Sequence, residues 1–146
     1  MELTDLMVGD WVKVLPISHR VESHYDRIES IRKEYTGQVY IEGGYHDRDH
    51  KGIDDWFDWS VGLNDIAPIP LTPEILEKNG FEYDQYYHSW IYDEFTINYG
   101  HLIDEEEGDY LFIWVADTSM KLTYVHELQH ALRLCGLNEL ANNLNI

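Results

Sequence analysis

The segment PIPLTPEILEKNGF, residues 68–81, contains the strongest local folding signal in the chain and divides it into two halves. Both prolines of PIPL lack a backbone N–H, so this part resists continuous sheet pairing. Thr72 is a suitable N-cap, Pro73 fits the first helical position, and Gly80 permits the left-handed conformation that ends many helices. The sequence therefore predicts a two-turn helix at a hinge between the halves.

Short runs with β-strand character fill the half before this helix. LMVGDWVKVL places a Gly-Asp turn before alternating residues, and RIESIRKE and TGQVYIEGG follow at hairpin spacing. Several short strands separated by turn residues are typical of a small barrel or sandwich. We predict an SH3-like β-barrel unit over residues 1–71.

The half after residue 71 combines strands with a second helix. YYHSWIY and EFTINYGHLI have the composition of strands, YLFIWVA is a nearly continuous apolar run, and YVHELQHALRL has helical periodicity. We predict an α+β unit over residues 72–146 that consists of a helix, a small antiparallel sheet and a C-terminal helix. The predicted fold class of the chain is therefore α+β, with both units packed as one compact body.

The charge balance disfavours several classes of partner. Ten Lys and Arg against 28 Asp and Glu give a net charge of −18. Such a field repels phosphate backbones and anionic headgroups, which disfavours direct binding to nucleic acid or to a membrane surface. A basic protein partner, a metal cation, or an inhibitor that mimics nucleic acid remains compatible with this charge.

The sequence also lacks the signals of secretion or membrane insertion. Its first residues, MELTDLMVGDW, are acidic, and no apolar run approaches the roughly 18 residues that a membrane span requires. Cys135 is the single cysteine, which excludes an internal disulfide, and its apolar neighbours indicate a buried thiol. We expect a cytoplasmic protein without a cofactor, because no phosphate-binding or dinucleotide motif occurs.

The stretch YVHELQHA contains the one pattern in the sequence that suggests a definite chemistry. His126, Glu127 and His130 form H-E-x-x-H, in which two histidines ligate zinc and the glutamate acts as general base on a bound water. A zinc hydrolase would also require a third protein ligand. The extended form of the motif needs Gly and His at the positions that Arg133 and Gly136 occupy, so it does not supply that ligand.

Two further observations weigh against the zinc hypothesis. Glu139 is the one acid after His130, and an upstream ligand such as His88 or His101 would be unusual. On a helical wheel the apolar arc consists of Val125, Leu128, Ala131, Leu132 and Cys135, and both motif histidines, Gln129 and Arg133 fall on the side expected to face water. We therefore interpret the motif as a chance match on an amphipathic helix, and we predict no catalytic residue and no metal ligand there.

Three segments resemble a known family. They are L-x-x-G-D-W-V at Leu6–Val12, D-I-x-P-I-P-L-T with its helix and G-F at Asp65–Phe81, and Y-V-H-x-L-Q-x-A-L at Tyr124–Leu132. In these motifs the chain is similar to a family of small uncharacterised proteins from anaerobic gut bacteria and their prophages. In that family the positions of Glu127 and His130 are usually glutamine and asparagine. The resemblance implies a compact fold and an origin on mobile DNA, without an assigned activity or catalytic residues.

An acidic loop at residues 43–59 is a weaker candidate for a metal site. His46, Asp47, Asp49 and His50 are ligand types for a divalent cation, with further aspartates at positions 54 and 55. Their spacing does not match a calcium-binding loop, so a solvated loop is the favoured interpretation.

A second acidic stretch, Asp104–Asp109, contains five carboxylates. A hairpin turn that is kept soluble by charge is the ordinary explanation. The alternative is that these carboxylates imitate spaced phosphates, as an inhibitor of a nucleic-acid-binding protein would require.

Aromatic residues are the last candidate surface. A binding face could include Trp56, Trp59, Trp90, Trp114, Tyr86 and Tyr87. They are not interleaved with basic residues, as a nucleic-acid stacking platform would be, so we expect them to pack in the core.

The sequence as a whole favours a non-enzymatic accessory or interaction protein of mobile-element origin. Its expected partner is a protein, and a basic protein would fit the charge. The alternatives are an acidic inhibitor that mimics nucleic acid and a zinc hydrolase that uses Glu127.

Overall fold

The computed structural model describes residues 5–16, 23–44, 59–101 and 108–146. The chain divides into two compact units, one that ends at Ile69 and one that begins at Pro70. We call them the N-terminal unit and the C-terminal unit.

Two antiparallel sheets of three strands each form the N-terminal unit. Its strands are β1 (Trp11–Val14), β2 (His24–Arg27), β3 (Ser30–Lys33), β4 (Val39–Gly43), β5 (Trp59–Val61) and β6 (Ile66–Ala67). The first sheet has the order β2-β1-β6 and the second the order β3-β4-β5. Eight buried side chains from both sheets and their connections form one core: Leu6, Val12, Val14, Ile28, Ile41, Trp59, Val61 and Ile66.

The Gly-Asp turn before β1 is stabilised by the buried carboxylate of Asp10. Gly9 has a φ of 93°, which favours glycine, and Asp10 is fully buried. The Oδ2 atom of Asp10 accepts the backbone N–H of Met7 at 2.8 Å. Backbone bonds between this turn and Ile28 then join the turn to the end of β2. The turn residues of the GDWV run therefore stabilise the start of the first sheet.

A buried hydrogen bond fixes the main aromatic residue of this core. Trp59 is only 4% exposed, and its indole Nε1–H donates to Asp26 Oδ2 at 2.8 Å. Gly43 lies directly beside the ring, where an added Cβ would overlap the indole and approach the Arg27 carbonyl oxygen to 2.7 Å. The indole therefore occupies a space that only a glycine at position 43 leaves open.

A five-stranded antiparallel meander forms most of the C-terminal unit. Its strands are β7 (Glu82–Asp84), β8 (Ser89–Tyr92), β9 (Phe95–Gly100), β10 (Tyr110–Val115) and β11 (Thr118–Lys121), in the order β11-β10-β9-β8-β7. Three short helices accompany the sheet: α1 (Pro73–Lys78), α2 (Val125–Leu134) and α3 (Asn138–Asn142).

The predicted capped helix at residue 73 is confirmed as α1. Thr72 is its N-cap, and the Thr72 Oγ1 accepts the N–H of Ile75 at 3.3 Å. Gly80 has a φ of 86°, and the N–H of Phe81 donates back to the Leu76 carbonyl at 3.0 Å. Both helix ends are thus stabilised by residues within one turn, which is why the sequence predicts them well.

The side chain of Asn79 links the end of α1 to the last residues of the chain. Its Nδ2 donates to the carbonyl oxygens of Ile75 at 2.7 Å and of Asn145 at 2.6 Å. Its Oδ1 accepts the N–H of Asn145 at 2.7 Å. Leu144, next to this clamp, is buried.

The α+β prediction is wrong, because the described residues are mostly β-structure, with eleven strands in three antiparallel sheets and three short α-helices. The SH3-like barrel is wrong as well. Ile28 and Glu29 separate strand β2 from strand β3. Over the described residues the six N-terminal strands form two separate sheets and not one closed barrel. The predicted order of helix, sheet and C-terminal helix is wrong too, since two helices, α2 and α3, follow the sheet.

None of the helices in the described ranges is long and apolar enough to cross a membrane.

Candidate binding site

Glu127, the proposed general base of the zinc alternative, serves as a cap of α2. Its Oε1 accepts the backbone N–H of Tyr124 at 2.8 Å and that of Thr123 at 3.2 Å. Two backbone donors at the start of a helix have no partner within the helix, and an acidic side chain in the first turn satisfies them. The glutamate of the motif therefore has a structural role that requires no metal.

The prediction that the histidine side of α2 faces water is wrong for His126 and Gln129, whereas His130 and Arg133 are half-buried. His126 is 5% exposed and Gln129 is 0% exposed. The Gln129 Nε2 donates to the carbonyl oxygen of Ala141 in α3 at 3.0 Å, so the second terminal helix covers this side. The predicted buried thiol is also wrong, because Cys135 follows the last turn of α2 and is exposed.

The two imidazoles of the motif lie close together. The ring of His126 stacks on Tyr124, with 5.8 Å between centroids, and lies 5.7 Å from the ring of His130 in an edge-on arrangement. Over the described residues no group of three His, Cys, Asp or Glu side chains is arranged to hold a metal ion. His88 and His101, the upstream candidates, instead contact Tyr83 and Asp109.

The loop candidates cannot be compared with the structure. His46, Asp47, Asp49 and His50 lie outside the described residues, and so do Asp104 and Glu105–Glu107. Both the cation-binding loop and the phosphate-mimicking turn stay predictions.

A cavity of about 680 Å³ in the C-terminal unit is a candidate binding site. We call it the aromatic cleft. Its lining residues include Tyr83, Trp90, Tyr99 and Tyr110. Ligand-binding clefts in proteins commonly have volumes of about 300–1,000 Å³ and mostly apolar walls with a few polar groups. The aromatic cleft has both properties.

Strand register brings three of these aromatic residues, Tyr83, Trp90 and Tyr99, to one face of the sheet, whereas Tyr110, next to Leu111 in β10, projects to the other face. Tyr83 lies opposite Trp90 in the β7–β8 pair, and Trp90 lies opposite Ile97 in the β8–β9 pair. Tyr99, two residues after Ile97, is therefore on the same face, and it lies opposite Leu111 of β10. Three hairpin registers together create an aromatic surface whose members are far apart in sequence.

The segment before α1 closes one side of the aromatic cleft. The N–H of Leu71 donates to the Thr123 carbonyl at 2.9 Å, and Pro70 forms a β-bridge with Tyr124. Leu71 and Thr123 both line the cavity, together with Pro73. Leu71 and Pro73 therefore form part of one wall of the aromatic cleft.

Two carboxylates give the aromatic cleft its charge. Glu77 of α1 and Asp109 before β10 line the cavity, and both are exposed. The Nδ1 of His101 lies 2.8 Å from Asp109 Oδ1, which orients that carboxylate. An apolar cleft with acidic groups at its exposed margin suits a ligand that has a cationic end and an aliphatic stem.

His88 organises the two exposed tyrosines of the cleft. Its Nδ1 lies 3.2 Å from the Tyr83 hydroxyl, and its carbonyl accepts the N–H of Tyr99 at 2.9 Å. The φ of His88 is 51°, an uncommon value for a residue with a side chain, and the surrounding hairpin holds it there. A single residue in the β7–β8 turn thus positions rings from two strands.

The structure divides the aromatic residues that the sequence assigns to the core. Trp59 and Trp90 are buried, whereas Trp114, Tyr86 and Tyr87 are exposed, so the core prediction is wrong for these three. Trp56 lies outside the described residues. Sequence reasoning missed Tyr83, Tyr99 and Tyr110 as site residues. Alternation in single strands was visible, but the register between strands that brings these residues together was not.

No family model matches the chain, and no curated protein or solved structure matches it either. The resemblance to the gut-bacterial and prophage family therefore stays a prediction. The geometry of the aromatic cleft is the basis for a functional proposal.

Proposed function

We propose that this protein is a non-enzymatic interaction protein that binds a basic segment of a partner protein in the aromatic cleft. The observation that carries the proposal is the joint presence of Tyr83, Trp90 and Tyr99 on one face of the sheet and the carboxylates of Glu77 and Asp109 around one cavity of about 680 Å³. The proposed origin on a mobile element rests on the motif resemblance alone.

Aromatic rings and carboxylates attract the same class of side chain for different reasons. The face of a tryptophan or tyrosine ring is negative, so Lys and Arg cations bind over it, with about 0.5–2 kcal/mol per contact. On the opposite face of the sheet the protein shows this geometry itself, where the Nζ of Lys121 lies 4.2 Å from the centroid of Tyr110. Glu77 and Asp109 would meet the charged end of a ligand, while Leu71 and Leu111 would contact its aliphatic stem.

The charge of the whole chain supports a basic partner. A net charge of −18 attracts a basic protein over a Debye length and raises its association rate, an effect that salt screens. Long-range attraction alone does not create a site, because it acts on any cation. The aromatic cleft would add short-range selectivity for a cationic side chain with an aliphatic stem.

A charge-neutral substitution separates the cleft from general electrostatic attraction. Calorimetric titration with a capped peptide of about ten residues that contains an adjacent Lys–Arg pair should show binding. Tyr99→Ala should weaken it roughly three- to thirtyfold, because one cation-binding ring is lost without a change in net charge. Tyr35→Ala is the matched control, since Tyr35 is 100% exposed and lies in the other unit.

The carboxylates provide a second comparison. Glu77→Gln should weaken binding more than Glu94→Gln, although each removes one negative charge from an exposed position. Equal binding by Tyr99→Ala and Tyr35→Ala, together with equal effects of the two glutamate variants, would show that the cleft does not bind the peptide.

A further inference from the structure

Strand β7 forms one edge of the five-stranded sheet, because β8 is its neighbour on one side and, within the described residues, no strand pairs with its other side. An edge strand presents backbone N–H and C=O groups to which an extended segment of another chain can bind. The other edge strand, β11, contains Lys121, whose charge would repel a basic segment.

The direction of the hydrogen bonds identifies which residue of β7 faces the open edge. The N–H of Tyr99 donates to the carbonyl oxygen of His88, the residue before β8. Because the backbone groups of a strand point alternately to its two neighbours, every second residue after His88 also bonds to β9, and the residues between them bond to β7. Ser89 and Ile91 therefore bond to their partners Asp84 and Glu82.

The residue between these two partners, Tyr83, has its backbone N–H and C=O directed away from β8. Phe81, two residues earlier, supports this alternation, because its N–H also points away from β8 and donates to Leu76. Tyr83 therefore offers one donor and one acceptor at the open edge, enough for a single β-bridge.

Two cavities flank this residue on opposite faces of the sheet. The aromatic cleft includes the Tyr83 ring, on the face that carries Trp90. A second cavity of about 460 Å³ is lined by Glu82, Asp84 and Ile91, which project to the other face, and it also contacts Tyr83. Each cavity therefore has two carboxylates. Those of the aromatic cleft are Glu77 and Asp109, and those of the second cavity are Glu82 and Asp84.

We propose that the partner binds as an extended segment beside β7, bridged to the backbone of Tyr83, with two consecutive Lys or Arg residues directed into the two cavities. This inference rests on the proposed function, since its occupant is the same basic segment. Successive side chains of a strand point to opposite faces, so only adjacent basic residues reach both cavities at once. A pair separated by one residue would place both cations on one face.

Peptide backbone chemistry tests this binding mode without altering the protein. The reference probe is the capped peptide with an adjacent Lys–Arg pair, and the matched control has the same composition with one Thr between the two basic residues. The adjacent pair should bind at least fivefold more tightly. N-methylation of one of the two basic residues should weaken binding about tenfold, because its N–H donates to Tyr83, whereas N-methylation of the other should have a much smaller effect.

Hydrogen exchange gives an independent readout. The Tyr83 amide should exchange at least tenfold more slowly in the presence of saturating peptide, while the Tyr99 amide, already bonded to His88, should not change. Peptide binding that depends on Tyr99, with an unchanged Tyr83 amide and equal effects of both N-methyl groups, would overturn the strand-addition proposal and leave the proposed function intact. Binding that is indifferent to Tyr99→Ala and Glu77→Gln would overturn both.

Discussion

Trp59 in the N-terminal unit and the tyrosines of the aromatic cleft in the C-terminal unit are aromatic residues in opposite surroundings. In the N-terminal unit the Trp59 ring is buried, its N–H donates to Asp26, and the ring fills the space that Gly43 leaves open. In the C-terminal unit Tyr83 and Tyr99 are 41% and 46% exposed and line an open cavity. A buried ring with a satisfied polar atom stabilises a fold, whereas a ring on a cavity wall retains surface for a ligand. Burial and hydrogen bonding, rather than residue type, distinguish the two roles.

Removal of the buried indole should have the largest effect on stability. Trp59→Ala should lower the free energy of unfolding by about 3–5 kcal/mol, because it creates a cavity and leaves the Asp26 carboxylate without its indole donor. Chemical denaturation followed by far-UV circular dichroism measures this loss. A cost below about 1 kcal/mol would contradict the structural role assigned to this ring.

The cap of α2 should have an intermediate effect and tests whether Glu127 is structural. Glu127→Ala should cost about 1 kcal/mol, because the N–H groups of Thr123 and Tyr124 lose their acceptor. Glu127→Gln keeps an acceptor oxygen and should cost less than half as much. Thermal denaturation of both variants, with and without added zinc, checks this order. A large zinc-dependent stabilisation that either substitution removes would instead support the metal alternative.

The exposed rings of the cleft should have the smallest effect on stability. Tyr99→Ala should change the free energy of unfolding by less than about 0.5 kcal/mol, although we expect it to weaken peptide binding. The same denaturation experiment measures both Tyr99→Ala and Trp59→Ala. A Tyr99→Ala variant that is as destabilised as Trp59→Ala would remove the distinction between the two aromatic regions.

The wrong predictions that His126 and Gln129 of α2 face water have one cause. The helical wheel assigned Val125, Leu128 and Leu132 to a buried side, and all three are buried. It assigned Gln129 and His126 to water because it treats a helix as having one buried face. The Gln129 amide instead bonds to Ala141 in α3, and a polar residue with a satisfied hydrogen bond can be fully buried.

The barrel prediction failed for a related reason. The strands of the N-terminal unit were visible as short alternating runs, and most lie where such runs occur. Closure of a barrel depends on which strands pair at the ends of the sheet, and composition contains little information about that. Here the break at Ile28 and Glu29 separates β2 from β3, and the pairing remains two sheets of three strands.

The sequence by itself determined the features that depend on neighbours within one helical turn. Thr72, Pro73 and Gly80 specify α1, and the acid-rich composition specifies the net charge of −18. The tertiary structure alone decided which side of α2 is covered and which tyrosines share a cavity. Caps and turns act through hydrogen bonds between adjacent residues, whereas the aromatic cleft requires Tyr83 and Tyr99 to be aligned by strand registers. Such registers are stabilised by contacts along the whole sheet, so no local pattern encodes them.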